Sequence, residues 1–444
     1  MTDGPGRDAD QARQILATGF SDADSDIGRF NLAIFGMTGV GKSTLVNTIF
    51  GSKQAQTGIG EPVTRGSHLH RLPNGRMGIY DTEGLEIGQD GQDILARLRE
   101  QIEENHSGPL ADQIHVVWYC VRATDRRFTD MEAQFVTKLC HLGPPVLLVL
   151  TRATIVDGQW PPDVIELSTH IAALQMPTYG NPVYPVNAVA DEWAGTPAHG
   201  LDQLLAATAA AAPLGVQRAL AAAQRIDGQR KLDQAYAAVE AAATKLELRP
   251  VLRDVRATWA EMIASIAIIY GLPQNQAMAA ALQSREVTSM HRLLYTTQAG
   301  VLLAPLRYGY LAAAKAGQAA AKSNTGQKAS DWFKERRRRK DAAKRRSLRR
   351  GSPQQVAPTR SDKAPTGEAT SPREMGSGLA AGTVTLAIGE AWIVVCERAY
   401  RASYPERPAL DPAAFAAQFS AELSARMNAP LRAWGRLSTR RPSD

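Results

Sequence analysis

The sequence predicts an α/β domain, a mostly parallel sheet with helices on both faces, followed by an all-α, Ala-rich region. Three observations carry that reading. Between residues 29 and 212, apolar runs of strand length alternate with stretches of helical periodicity. The strand-like runs are apolar and β-branched, as buried parallel strands are. Beyond Leu214 such runs stop, and Ala-rich stretches with charges at helical spacing take over.

The candidate strands are Arg29 to Phe35, Met77 to Tyr80, Ile114 to Cys120, Val146 to Leu150 and Val183 to Val186. His68 to Leu72, joined to Met77 through Pro73-Asn74-Gly75, reads as one arm of a hairpin. Helical patterns lie near 42–50, 91–104, 129–141, 161–174 and 200–211. Residues 1–28 are read only as a polar segment, and 29–212 as one nucleotide-sized α/β domain. In the remainder, Gln217 to Leu248 and Val251 to Tyr270 read as helices, the second stopped by Gly271-Leu272-Pro273. Two apolar stretches follow, Ala299 to Ala314 and Gly378 to Cys396, interrupted by Arg307 and Glu390. They fit either a buried helical hairpin or membrane-embedded helices. Asp411-Pro412 makes a helix start, and Phe415, Phe419 and Leu423 form an apolar stripe read as core. The helical region is therefore divided into 213–317, an insert at 318–376, an apolar helix at 377–403 and an amphipathic helix with its tail at 404–444.

Charge is concentrated rather than spread. The chain has 444 residues and a net charge of +7. Lys334 to Arg350 alone holds eleven Lys and Arg against Glu335 and Asp341, a local net of +9, so the rest is slightly acidic. The polar, aromatic-poor composition around that run reads as a disordered insert. Its charge fits a solvated linker, an anionic membrane surface or nucleic acid, in that order. Three widely spaced cysteines, Cys120, Cys140 and Cys396, exclude a disulfide framework and a paired-cysteine zinc site. The polar, acidic N-terminus argues against secretion and for a cytoplasmic protein.

The chemistry is carried by GMTGVGKST, Gly36 to Thr44, which matches G-x-x-x-x-G-K-[ST] after a predicted strand and before a predicted helix. Glycines let the backbone turn its N–H groups around a phosphate, and the helix adds its positive end. Gly36, Thr38, Gly39, Val40, Gly41, Lys42, Ser43 and Thr44 form the phosphate-binding set. Lys42 would neutralise the β/γ-phosphates and Ser43 would ligate Mg2+. Asp81-Thr82-Glu83-Gly84 ends the strand MGIY as D-x-x-G does in GTP-binding proteins. There the Asp holds magnesium through water and the Gly N–H contacts the γ-phosphate. Thr64, in EPVTRG, falls where a switch Thr would reach the metal. Lys42, Thr64 and Gly84 are thus the candidate catalytic residues, and Ser43, Thr64 and Asp81 the candidate metal set. His68 and His70 alternate on HLHRL but read as an exposed strand face rather than a metal pair.

Gly36 to Gly51, followed by VTRG at Val63 to Gly66 and IYDTEGLE at Ile79 to Glu86, resembles the Era-like/TrmE-like branch of small GTPases. VWYCVRATDRRFTDME, Val117 to Glu132, is similar to bacterial and fungal G-domain proteins. The resemblance covers about 29–190. Trp259 to Gly271 and Ala380 to Trp392 resemble, more loosely, the helical domain of some bacterial membrane-associated GTPases. The resemblance implies guanine nucleotide (GTP/GDP) with Mg2+ as cofactors. It implies a place at the inner face of a membrane, peripheral or integral, and leaves homodimerisation through the nucleotide face open.

Three positions depart from that family. Where it carries [NT]-K-x-D for guanine, this chain has Thr151-Arg152-Ala153-Thr154, and Asp157 comes three residues late. Thr151, Arg152, Asn187 and Ala188 remain the candidate base contacts, Arg152 through its aliphatic stem. Leu85 stands where Ras-like GTPases have the Gln that orients water, so intrinsic hydrolysis is expected to be slow. Arg65, Glu83 and Glu86 are substitutes by proximity alone. Gly39 stands where potassium-activated relatives have Asn, so strong potassium activation is not expected. The leading reading is a GTP-binding switch with slow Mg-dependent hydrolysis. A membrane-associated adaptor with a regulatory nucleotide domain and a nucleic-acid-associated NTPase are its alternatives.

Overall fold

The computed structural model describes residues 5–51, 61–62, 69–71, 75–80, 91–105, 108–156, 158–190, 195, 198–248, 252–284, 372–403 and 410–438. A single sheet of seven strands organises the first half: β1 Phe30–Phe35, β2 Glu61–Pro62, β3 Leu69–Arg71, β4 Met77–Tyr80, β5 Val116–Arg122, β6 Val146–Thr151 and β7 Tyr184–Pro185. Their spatial order is β2-β3-β4-β1-β5-β6-β7. The five strands β4, β1, β5, β6 and β7 run parallel, while β3 and β2 add on as antiparallel partners beyond β4. The five apolar runs of the sequence are those five parallel strands, and the predicted hairpin arm is β3.

Every residue of β1 and β6 is buried, which explains their unbroken apolar character. The alternation is between two cores. Leu32 and Ile34 face one side with Val116 and Trp118, whereas Ala33 and Phe35 face the other with Val117 and Tyr119. The second side is covered by α3 Gly91–Asn105, α4 Asp130–Cys140 and α5 Pro162–Ala173, through Leu98, Phe135, Val136, Leu167 and Ile171. Helix α4 opens on a capping box: Glu132 N–H donates to the Thr129 hydroxyl at 3.3 Å, and Thr129 N–H donates to the Glu132 carboxylate at 2.8 Å.

The first side carries α2 Lys42–Phe50, α6 Leu201–Ala211 and α7 Gln217–Ala223, and continues without a break into a helical bundle. The bundle contains α8 Gly228–Leu248, α9 Leu252–Ile269, α10 Gln274–Gln283, and two further helices that we number α11, Pro372–Ser403, and α12, Pro412–Ser438. The expected single helix over 217–248 is two helices. Gln224 breaks it, its side-chain amide donating to Asp227 O and its Oε1 accepting from Asp227 N, both at 2.8 Å. The Asp227 carboxylate then caps Arg230 N–H at 2.8 Å.

The N-terminal residues, read only as polar, include a helix, α1 Pro5–Ile27, that packs along α9. Leu16, Phe20, Ala23 and Ile27 form its buried stripe. The apolar stretch 378–396 lies inside α11, which begins at Pro372, ahead of the boundary expected at 377. It is a buried bundle helix: Trp392 donates to Ile263 O at 3.1 Å, and Trp259 donates to the Thr385 hydroxyl at 2.8 Å. Phe415 and Phe419 meet the Trp392 ring edge-on at 5.0 and 5.3 Å, so the stripe on α12 is core. Glu390, which interrupts the apolar run, faces Arg426 at 3.8 Å. Among the described residues no helix is long and apolar enough to cross a membrane. The stretch Ala299 to Ala314 and the basic run 334–350 lie outside the described residues.

Candidate nucleotide site

Strand β1 ends at Phe35, and the chain turns over the C-terminal edge of the sheet before α2 begins at Lys42. The turn is possible only with glycine at its first position. Gly36 has φ of 134°, and a Cβ there would stand 2.2 Å from the Cys120 carbonyl of β5. Gly39 and Gly41 also have positive φ, and Gly41 is the residue preceding α2. Lys42 curls back over the loop, its ammonium donating to Gly36 O at 2.7 Å and Met37 O at 3.0 Å. Burial lowers its pKa, and neighbouring Cys120 works in the opposite direction. Those two carbonyls hold the cation at the loop mouth. Ser43 and Thr44 are exposed at the first turn of α2, and Met37, Thr38 and Gly39 are exposed along the loop.

The loop is clamped from β5 and β6. Thr151, the last residue of β6, is buried, and its hydroxyl donates to Val40 O at 2.5 Å, with Val121 O at 3.2 Å. Its side chain is therefore turned to the phosphate loop. Arg122, the last residue of β5, donates to Gly39 O, and Arg152 approaches the same carbonyl at 3.4 Å. The Arg122 Nε is buried with no hydrogen-bond partner. Arg122 escaped the sequence reading, whose strand ended at Cys120; the only signal was its place in VWYCVR.

The other base candidates, Arg152, Asn187 and Ala188, lie on the segments that follow β6 and β7. Arg152 is exposed with φ of 55°, and the backbone that follows is tied in by Ala153 N–H to Val186 O at 3.1 Å. Asn187 pairs through its backbone with His199, while its buried amide donates to Val189 O at 2.6 Å. The Thr48 hydroxyl of α2 donates to Ala188 O at 3.1 Å, which holds the 187–188 segment beside the helix that follows the phosphate loop. Thr154 is half-buried, and Val156 and Gln159 close a short hairpin behind it. Asp157, Thr64, Arg65, Asp81, Glu83, Gly84, Leu85 and Glu86 lie outside the described residues, as do the side chains of His68 and His70. No cluster of metal-ligand type occurs among the described residues.

Comparison with known proteins agrees with this geometry. Residues 31–152 match the family described as 50S ribosome-binding GTPase. A GTPase Der of Rhodopseudomonas palustris is 33% identical over 138 residues, which is 29% of this chain and 27% of that protein. A GTPase Era of Ectopseudomonas mendocina is 31% identical over 160 residues, 36% of this chain and 49% of that protein. Human Septin-12 is 28% identical over 148 residues, 28% of this chain and 41% of that protein. The chain thus spans between about a quarter and a half of the length of these relatives. The segment 31–152 is thus similar to the P-loop G domains of these GTPases; the five-stranded parallel sheet to which it belongs is completed by β7, and a mostly helical region follows.

Proposed function

We propose that the chain is a guanine-nucleotide switch that binds GTP and GDP with Mg2+ and hydrolyses GTP slowly. The observation that carries this is the Lys42 ammonium held on the Gly36 and Met37 carbonyls at the mouth of a glycine-shaped loop, at the start of α2. Phosphate oxygens would replace those carbonyls, and the first N–H groups of α2 would complete the cradle. The exposed Ser43 hydroxyl would help hold a magnesium ion, with Thr64 and Asp81 as its further partners from the sequence motif. The ion would neutralise charge on the transferred group; the chain's part is to hold and orient it.

The base would lie against the exposed Arg152 stem and the 187–188 segment. Thr151 belongs to the support of the loop. Guanine is favoured over adenine by the G-domain relatives, while the Asp that would grip it is replaced by Thr154, so discrimination is expected to be weaker than in a complete site. Slow turnover rests on Leu85, which cannot orient water. Parallel titrations of GTP, GDP and ATP with Mg2+ into the chain and its Lys42→Ala variant test the reading. Guanine nucleotides should bind more tightly than ATP, and Lys42→Ala should lose at least about 100-fold, the weight of a charge-assisted contact of roughly 3 kcal/mol. Equal GTP binding by both chains sinks it.

A second reading concerns location. The run Lys334 to Arg350 is suited to an anionic membrane surface facing the cytosol, each cation contributing about 1 kcal/mol. Attachment would be peripheral. Co-sedimentation with anionic and neutral vesicles, with and without residues 334–350, decides it, and no charge-dependent pelleting in any nucleotide state counts against it.

A further inference from the structure

On the far side of α2 from the nucleotide loop lies a cavity of about 350 Å³, where the β3–β4 hairpin, α1, the α7–α8 turn, the α9–α10 turn and α11 meet. Among the described residues Arg71, Arg76, Arg225 and Lys231 line it, with Asp24 as the one acidic side chain. Asp24 is already engaged, since Arg76 pairs with its carboxylate and Gln274 donates to the same oxygen at 2.6 Å. Lys231 is 1% exposed, and its ammonium rests on main-chain carbonyls: Ala221 and Ile269 at 2.7 Å, Ala222 at 3.4 Å. These are the C-terminal ends of α7 and α9, so helix dipoles answer the charge, and the Tyr400 ring lies 5.2 Å away. Burial, then the Arg225 charge, pulls that ammonium down to about 7, while Asp227 works in the opposite direction. The wall also includes Tyr270, whose buried hydroxyl has no hydrogen-bond partner.

We propose that this cavity is a second anion site, separate from the P-loop, that takes a small soluble phosphate-bearing ligand. The volume is of the size that holds a compact ligand. Arg76 and Asp24 answer each other, so the charge on the hollow comes from Arg71, Arg225 and Lys231, with Asp227 partly offsetting the last, and the buried Tyr270 hydroxyl adds a donor; burial strengthens the attraction for a dianion. Among the described residues, none of the exposed large apolar side chains borders the cavity, so none of them offers a shelf for an acyl chain there. A free phosphate compound fits the surroundings better than a lipid headgroup.

The probe is pyrophosphate, titrated calorimetrically into the full chain saturated with GDP, so that the P-loop is filled. One further equivalent should bind. Arg71→Gln, at an exposed position, should weaken it about tenfold, and Lys231→Met should abolish it. The same equivalent should bind to the Lys42→Ala chain without nucleotide, an arm that stands whether or not the P-loop takes guanine. No binding in either arm overturns the site. So does binding that Arg71→Gln and Lys231→Met both leave unchanged.

Discussion

Thr151 stands where the sequence pointed to a base contact, yet its hydroxyl is used on the backbone of the phosphate loop. A β-branched residue at the end of a central strand is held to few side-chain conformations, and this one places the donor on Val40 O at 2.5 Å. Thr151→Val keeps shape and burial but leaves that carbonyl unpaired, which costs about 1 to 3 kcal/mol. Denaturant unfolding should show the loss, and nucleotide affinity should fall about tenfold as the loop loosens. His115 gives a second test at this scale. It is buried under the sheet, accepting from Asn31 N–H at 2.9 Å on Nδ1, with Nε2 at 2.8 Å from Leu110 O. The ring is therefore neutral, with the Nε2 proton donated to that carbonyl. Burial lowers its pKa to about 4; the Leu110 carbonyl opposes that and the Arg29 charge adds to it. Between pH 6.5 and 4 the unfolded chain binds a proton that the folded chain refuses, so stability falls as pH drops through that window. Across it the loss should approach roughly 3 kcal/mol, at 1.36 kcal/mol per pH interval. Unfolding followed at pH 7 and pH 4.5 should show a smaller acid loss in His115→Gln than in the parent chain.

Elements were legible where one local pattern determined them. Residues 42–50 follow a glycine loop and carry Leu45, Val46 and Ile49 on one face, so α2 was readable to its ends. The strands were readable because a sheet covered on both faces has to be apolar throughout. Helix α1 was not, because its polar composition masks the buried apolar side chains Leu16, Phe20, Ala23 and Ile27, and its partner, α9, lies more than two hundred positions away. The loop contacts of Arg122 and Thr151 were not readable for a related reason: what they touch is set by β5 and β6 running beside the loop, a tertiary fact with no sequence spacing. The same holds for the link from α2 into the bundle. Arg225 N–H donates to Ile49 O at 2.8 Å, and the Tyr400 hydroxyl of α11 donates to Arg225 O. Gly51 closes α2 with φ of 113°, and the Arg225 Nε lies 2.7 Å from where a Cβ would stand. Gly51→Ala therefore meets an unfavourable backbone region and must displace the guanidinium. It should lower the midpoint of thermal unfolding by an amount matching about 1 to 3 kcal/mol. If the link carries the nucleotide state, it should also shift GDP affinity. A conservative control, Gly143→Ala, has positive φ with nothing within 4 Å, and should show the backbone cost without the affinity change.

At the scale of the whole molecule the described G domain and bundle share one core. Phe30, Leu32 and Trp118 of the sheet belong to the same apolar cluster as Trp259, Ile263 and Trp392 of the bundle, joined through Leu220 of α7. A boundary near residue 212 divides the sequence by composition but cuts that cluster. Burying apolar surface stabilises by about 25 cal/mol per Å², so removing everything beyond 212 exposes the sheet face under α7 and forfeits stability on the scale of a whole domain. The expectation is that residues 29–212 alone bind a hydrophobic dye, show a broadened transition and aggregate at concentrations where the full chain stays in solution. The full chain should unfold in one calorimetric transition for its described part, with calorimetric and van't Hoff enthalpies agreeing. Two separate transitions, with an excised 29–212 as stable as the first, would show that the interface is a mere contact between independent domains. In a continuous core, a change at the phosphate loop and a change in the bundle are not energetically separable. The switch reading needs that property, because a nucleotide held on α2 can bias α8, α9 and α11 only if their packing depends on α2.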